Sequence, residues 1–141
     1  MPQPIAIARF NHAAINASDV DASIAFYTGV LGFYQVPRPS FSFAGSWLYS
    51  DGLGMMLHLI HDARFEPITA RDNTRRSHLA FRVADIEQTL ELLAEHDLPV
   101  IQRTLPDHGY RQLFVHDPDG NLIELGEWPD VEQMNVTPLL T

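Results

Sequence analysis

Apolar and polar residues alternate along eight short runs of this chain and switch to helical spacing along two others. Ile7 to Ile15 and His78 to Val83 have strand composition. Each is followed by a helix-start signal, Ser18 with Asp21 three residues on, and Asp85 with Gln88 three residues on. Apolar positions then recur at Val20, Ile24, Tyr27 and Leu31, and again at Ile86, Leu90 and Leu93, so each first strand leads into one amphipathic helix. Glycine or proline closes each helix, at Gly29 to Gly32 and at Asp97-Leu98-Pro99. Three strand-like runs follow each helix: Phe33 to Val36, Ser46 to Ser50 and Met55 to Ile60, then Val100 to Arg103, Gln112 to His116 and Leu122 to Leu125. Turn residues separate the last two of each set, Asp51-Gly52-Leu53-Gly54 and Asp117-Pro118-Asp119-Gly120.

The two sets are copies. Sliding the sequence by 66 residues without a gap pairs His12 with His78, His58 with Glu124, Asp19-Val20-Asp21 with Asp85-Ile86-Glu87, and Gly54 with Gly120. The prediction is a single α+β domain of two βαβββ modules in which a helix covers one face of each small sheet. Module one spans about 5–62, a polar linker 63–75, module two about 76–128, and a tail 129–141. The tail carries Val131, Met134, Val136, Leu139 and Leu140, apolar enough to pack on a partner subunit or to fold back on its own domain.

Composition narrows the chemistry. The 141 residues include 18 acidic and 9 basic side chains, all nine arginine, for a formal charge of −9. That leaves no basic surface for a phosphate backbone, so nucleic acid is not expected as a partner. Absent cysteine and lysine exclude disulfides, thiolate metal sites, Schiff bases and lysine-bearing phosphate loops. No apolar run approaches the roughly 20 residues of a membrane helix, and no leader pattern is evident, so the expectation is a cytoplasmic protein without a membrane partner. The run Arg71, Arg75 and Arg76 reads as a solvated linker.

Any metal must therefore be held by histidine and carboxylate. In each module the first and last strands carry one such group 46 residues apart, His12 with His58 and His78 with Glu124. All four sit among apolar neighbours, where a polar side chain costs free energy unless something satisfies it. If the modules pack as related copies, the four side chains converge from four strands on one concave surface, and one divalent cation satisfies them all. His61, His96 and His116 lack this setting; His96, at a helix end, and His116, beside a turn, are expected at the surface.

Four segments carry a resemblance: Asn11-His12-Ala13-Ala14-Ile15, residues 23–33 (SIAFYTGVLGF), residues 78–83 (HLAFRV) and residues 117–125 (DPDGNLIEL). With them the chain resembles the vicinal oxygen chelate superfamily, which includes glyoxalase I, extradiol dioxygenases, fosfomycin-resistance thiol transferases and bleomycin-resistance proteins. The resemblance runs from about Phe10 to Glu127. It implies paired βαβββ modules forming a cupped mixed sheet around one divalent metal, zinc, nickel, iron or manganese, usually in a homodimer. His12, His78 and Glu124 match the two-histidine, one-carboxylate set of the family's metal enzymes. His58 falls where glyoxalase I enzymes carry a second Glu, and the segment from Ser40 to Leu48 followed by Leu57-His58-Leu59 is similar to a glyoxalase-I-like branch with His there.

The resulting expectation is an enzyme for a small oxygenated substrate that chelates the metal, with glyoxalase-I-like lyase or isomerase chemistry and Glu124 as catalytic base. Phe41, Phe43, Trp47 and Met56 are candidates for an apolar wall, and His108, Tyr110 and Arg111 for polar contacts to the substrate. Two alternatives stand beside it. One is an extradiol-type dioxygenase using His12, His78 and Glu124 with His58 unligated. The other is sequestration of a drug or metabolite without turnover.

Overall fold

A computed structural model describes residues 1–140. They form two compact units, residues 1–67 and residues from 68 onward. In the first, β1 (His12–Asn16), α1 (Val20–Gly29), β2 (Tyr34–Val36), β3 (Gly45–Tyr49) and β4 (Met56–Ile60) follow one another. The second repeats the order with β5 (His78–Arg82), α2 (Ile86–Glu95), β6 (Ile101–Thr104), β7 (Arg111–His116) and β8 (Leu122–Gly126). The sheets are ordered β1-β4-β3-β2 and β5-β8-β7-β6. In each, the first and last strands of the module run parallel and the remaining neighbours antiparallel. This is the α+β, twice-βαβββ architecture that the repeat predicts.

Register is also repeated. Ala14 lies opposite His58 in one sheet and Ala80 opposite Glu124 in the other. Side chains alternate along a strand, so each sheet has two faces of different character. In the first unit Ile15, Leu48, Leu57 and Leu59 are buried on the face that meets α1, with Phe26 and Tyr27 of the helix. In the second, Leu113, Val115, Ile123 and Leu125 are buried on one face, and α2 buries Ile86 and Leu93.

Helix ends explain two departures from the sequence expectation. The cap of α1 is Asp19, whose carboxylate accepts from the Ala22 amide at 3.1 Å, so the start signal falls one residue after Ser18. Asp21 instead lies in the first turn, where a negative charge suits the helix dipole. Asp85 caps α2 as expected, accepting from the Gln88 amide at 3.0 Å. Gly32, at φ 73°, donates to Thr28 O and turns the chain out of α1.

The first strand starts at His12, not Ile7, because its neighbour β4 offers partners only from Met56 onward. Ile5 and Ile7 are accordingly exposed. In the tail, Val131–Gln133 makes one 3-10 turn, and Val131, Met134, Val136, Leu139 and Leu140 are exposed. Thr141 lies outside the described residues. No helix among the described residues is long and apolar enough to cross a membrane.

Candidate functional site

The strand face of the first unit turned away from α1 carries His12, Met56, His58 and Trp47. Cross-strand register places Met56 opposite His12 and Trp47 opposite His58. The His12 and His58 rings stack with centroids 3.9 Å apart, and the Trp47 indole covers the other side of His58 at 4.4 Å and 6°. The array continues outward from Trp47 to Phe41 at 6.3 Å and from Phe41 to Phe43 at 5.0 Å. The Arg38 guanidinium lies 4.7 Å from the Phe41 ring centre and donates to Phe43 O at 3.0 Å. Phe43, Trp47 and Met56 thus share the open side of this sheet with the histidines.

Two features of these histidines bear on metal binding. His12 Nδ1 is 2.7 Å from Asn11 Oδ1, so with the proton on Nδ1 the Nε2 lone pair is free. His58 Nε2 is buried and, among the described residues, has no hydrogen-bond partner. Burial holds the His58 pKa below its ordinary value, and His12 and Arg38 nearby push it the same way. The imidazole is therefore neutral at pH 7, the form in which it coordinates. A buried, unpaired nitrogen of this kind fits a metal-binding role.

The second unit holds a cavity of about 720 Å³ whose lining includes His78, Gln112, Phe114, Glu124, Trp128 and Arg103. His78 donates from Nδ1 to the Arg76 carbonyl at 2.8 Å, which again leaves Nε2 free. Glu124 is buried, with 2% of its surface exposed. Its Oε1 accepts from Gln112 Nε2 and its Oε2 from Trp128 Nε1, both at 2.6 Å. Each carboxylate oxygen retains lone-pair capacity after one such bond. The indole reaches Glu124 by lying over Gly126, where an added Cβ would come within 2.7 Å of Trp128 Nε1. The Phe114 ring meets His78 edge-on at 5.8 Å.

Not every expected site residue is here. Arg111 is in phase with Leu113, so it faces the opposite side from Glu124, where its guanidinium pairs with Glu87 of α2. His108 and Tyr110 stay in the loop before β7, their rings 5.7 Å apart, with Tyr110 6.5 Å from Trp128. None of the three lines the cavity. His116, expected at the surface, has its Nε2 buried without a hydrogen-bond partner among the described residues. Of the run Arg71, Arg75 and Arg76, two are not simply solvated: Arg71 and Arg76 bond to the carbonyls of Ile68 and Gly120.

Sequence reading missed Gln112 and Trp128, the two donors to Glu124. Alternation from Glu124 through its neighbour Phe114 would have found Gln112. A glycine within a strand, Gly126, was the available signal that something packs closely against it.

In each unit, then, two candidate ligands share a face: His12 with His58, and His78 with Glu124. Within neither unit, among the described residues, do three His, Asp or Glu side chains gather into a cluster able to hold a metal ion. The stacked planes of His12 and His58, 16° apart, also keep their in-plane lone pairs from meeting at one point without a ring rotation.

A family model described as the glyoxalase/bleomycin resistance protein/dioxygenase superfamily matches residues 9–125. Glyoxylase I 4 of Arabidopsis thaliana is 30% identical over 140 residues, 97% of this chain and 79% of that protein. The crystal structure of a glyoxalase family protein from Bacillus anthracis superposes with a TM-score of 0.72 at 26% identity, over 88% of this chain and 98% of that one. One from Enterococcus faecalis gives 0.65 at 30% identity, over 84% and 97%. Matched along most of its length, and folded as its repeat predicts, the chain belongs to the glyoxalase/bleomycin resistance protein/dioxygenase superfamily.

Proposed function

We propose that this protein is a metal-dependent enzyme of glyoxalase-I-like lyase or isomerase type, acting on a small oxygenated molecule. His12, His58, His78 and Glu124 would hold one divalent ion, zinc or nickel suiting a set of three imidazoles and one carboxylate. The observation that carries the reading is the state of the repeat-related pair His12 and His78. Both engage Nδ1 in a hydrogen bond and keep Nε2 free, the arrangement that fixes tautomer and ring direction in metal-bound histidines. The similarity to Glyoxylase I 4 of Arabidopsis thaliana supports the choice of chemistry.

When bound, the ion would supply Lewis-acid stabilisation of negative charge developing on a substrate oxygen. Glu124 is the one carboxylate of the four and the group suited to take a proton, while Gln112 and Trp128 hold its two oxygens in place. Trp47, Met56 and Phe43 give the histidine side apolar surface for the body of a substrate to lie against. The reading requires the two pairs of ligands to meet, within one chain or between the copies of a homodimer.

A second reading has one observation in its favour. His58 is held between His12 and Trp47; if it stays there, His12, His78 and Glu124 form the facial triad of an extradiol-type dioxygenase using iron or manganese.

Metal analysis of the purified protein by inductively coupled plasma mass spectrometry tests both. The expected result is about one equivalent of zinc or nickel, lost in His12→Ala and in Glu124→Ala and weakened in His58→Ala. Full metal content in both His12→Ala and Glu124→Ala would remove the site. Iron or manganese indifferent to His58→Ala would transfer the assignment to the dioxygenase reading.

A further inference from the structure

We infer that Arg76 is a positioning residue for His78: its guanidinium, fixed on the turn between β7 and β8, holds the carbonyl of the same residue where it accepts from His78 Nδ1, and so decides which ring nitrogen His78 keeps free. That the free Nε2 meets a metal ion rests on the proposed function; the hold on the ring does not.

The carbonyl needs such a hold. Strand pairing begins at His78, opposite Leu122, so residue 76 lies ahead of β5 and no sheet ladder fixes its backbone. His78 is exposed, and an exposed imidazole left untied turns about its side-chain bonds and samples both neutral tautomers. Here Nδ1 lies 2.8 Å from the Arg76 oxygen, which can only accept, so the proton is on Nδ1. The Phe114 ring flanks the imidazole edge-on at 5.8 Å.

The anchor lies in the same sheet. The Arg76 guanidinium donates to the Gly120 carbonyl, within a turn that is braced from inside. Asp117 Oδ1 accepts from the amides of Asp119 and Asn121, both at 2.9 Å, and Oδ2 from the Asn121 side-chain amide at 2.8 Å. The Asp117 amide donates to Asn121 O at 3.0 Å. Through one side chain, a loose carbonyl ahead of β5 is tied to a fixed turn. The same guanidinium leaves its Nε buried without a hydrogen-bond partner among the described residues, and an unmet buried donor costs stability. The linker is already fastened to this turn by the Ile68 amide on Asp119 O at 2.7 Å, so fastening alone gives no reason to carry that cost.

The first copy of the repeat reaches the same end by other means. Across the 66-residue offset Arg76 corresponds to Phe10, which is 63% exposed, and Ser77 to Asn11. With no guanidinium to hold a carbonyl, His12 Nδ1 is tied to the Asn11 side-chain oxygen at 2.7 Å. Two unrelated acceptors leave the same ring nitrogen free. That points to the free Nε2, rather than to either bond, as the feature with a use.

The test reads the ring directly. Long-range proton–nitrogen correlation spectra are recorded on metal-free, full-length protein isotope-labelled in its histidines, at about pH 8, where a neutral imidazole predominates. The His78 signals are those lost in His78→Gln. In the wild type they should report the proton on Nδ1. Arg76→Met, which keeps the length and removes the donor, should move them to the tautomer mixture of an untied imidazole. Arg76→Lys, which retains a cationic donor for the Gly120 carbonyl, should restore most of the Nδ1 form. The His12 signals should stay unchanged in both variants, which also shows that they fold. Arg71→Met loosens the linker elsewhere and should leave His78 as it is. An unchanged His78 tautomer in Arg76→Met, or an equal change in Arg71→Met, would overturn the inference. Zinc is then added in a chelator competition. Arg76→Met should bind it about tenfold more weakly than the wild type, with Arg76→Lys in between. Equal zinc affinity alongside a shifted tautomer would overturn the role given to Arg76. A wild type that binds no zinc would remove the proposed function, while the tautomer change would still support the hold of Arg76 on His78.

Discussion

The indole of Trp128 occupies the space that a side chain at Gly126 would fill, and from there it donates to Glu124 Oε2 at 2.6 Å. One glycine thus decides whether the only carboxylate in the candidate ligand set is held on both oxygens. Trp128→Phe keeps a ring over the strand and removes the donor. Gly126→Ala keeps the donor and displaces the ring. Both should weaken zinc binding by about 10- to 100-fold in a chelator competition, the range seen when partners of a ligating group are removed. In metal-free protein, Gly126→Ala should also change the near-ultraviolet circular dichroism of the displaced indole. Wild-type zinc affinity in both variants would show that this hydrogen bond does not orient Glu124 for an ion.

The repeat made much of this legible. Its 66-residue offset links the two histidines whose Nδ1 groups are tied down, and it holds down to the register, with Ala14 opposite His58 and Ala80 opposite Glu124. Faces were legible only where strand boundaries were. One residue of phase separates Arg111, which meets Glu87 on the helix side, from Gln112, which meets Glu124. Trp128 escaped because it lies beyond the last strand, and its contact depends on the chain folding back over Gly126. Nor does periodicity encode what would bring the His12–His58 pair to the His78–Glu124 pair, because that depends on association of whole modules rather than on spacing within one.

Gly54 and Gly120 are repeat-related, and both have positive φ, 74° and 82°. Their surroundings differ. A Cβ at 54 would meet nothing within 4 Å, whereas one at 120 would run into Ile68 O and the Arg71 guanidinium. The linker is strapped down there: the Ile68 amide donates to Asp119 O at 2.7 Å, and Arg76 donates to Gly120 O. Gly54→Ala should therefore cost only the left-handed conformation, about 1–2 kcal/mol. Gly120→Ala should cost clearly more in urea denaturation and should open residues 63–76 to limited proteolysis. Equal midpoints for the two variants would mean that the strap adds nothing to stability.

His116 gives that same region a dependence on pH. Its Nε2 is buried without a partner among the described residues, as is Arg76 Nε. Burial lowers the His116 pKa from its ordinary 6.5, the Arg71 and Arg76 guanidinium groups lower it further, and Asp117 opposes them. The unfolded chain consequently takes up the proton at higher pH than the folded one, so falling pH favours unfolding. Stability from this group is complete above about 6.5 and declines as the pH is lowered through the folded-state value. His58, also lowered by burial, adds a slope of the same sign. His116→Gln removes one of the two contributions without adding a charge. Its urea midpoint should fall less steeply than that of the wild type between about pH 6.5 and 5, with the two proteins running parallel above pH 7. Carboxylates that titrate in this range are common to both proteins and leave the difference intact. Parallel curves down to pH 5 would mean that the imidazole takes up its proton in the folded state as readily as in the unfolded one, which its position beside two guanidinium groups argues against.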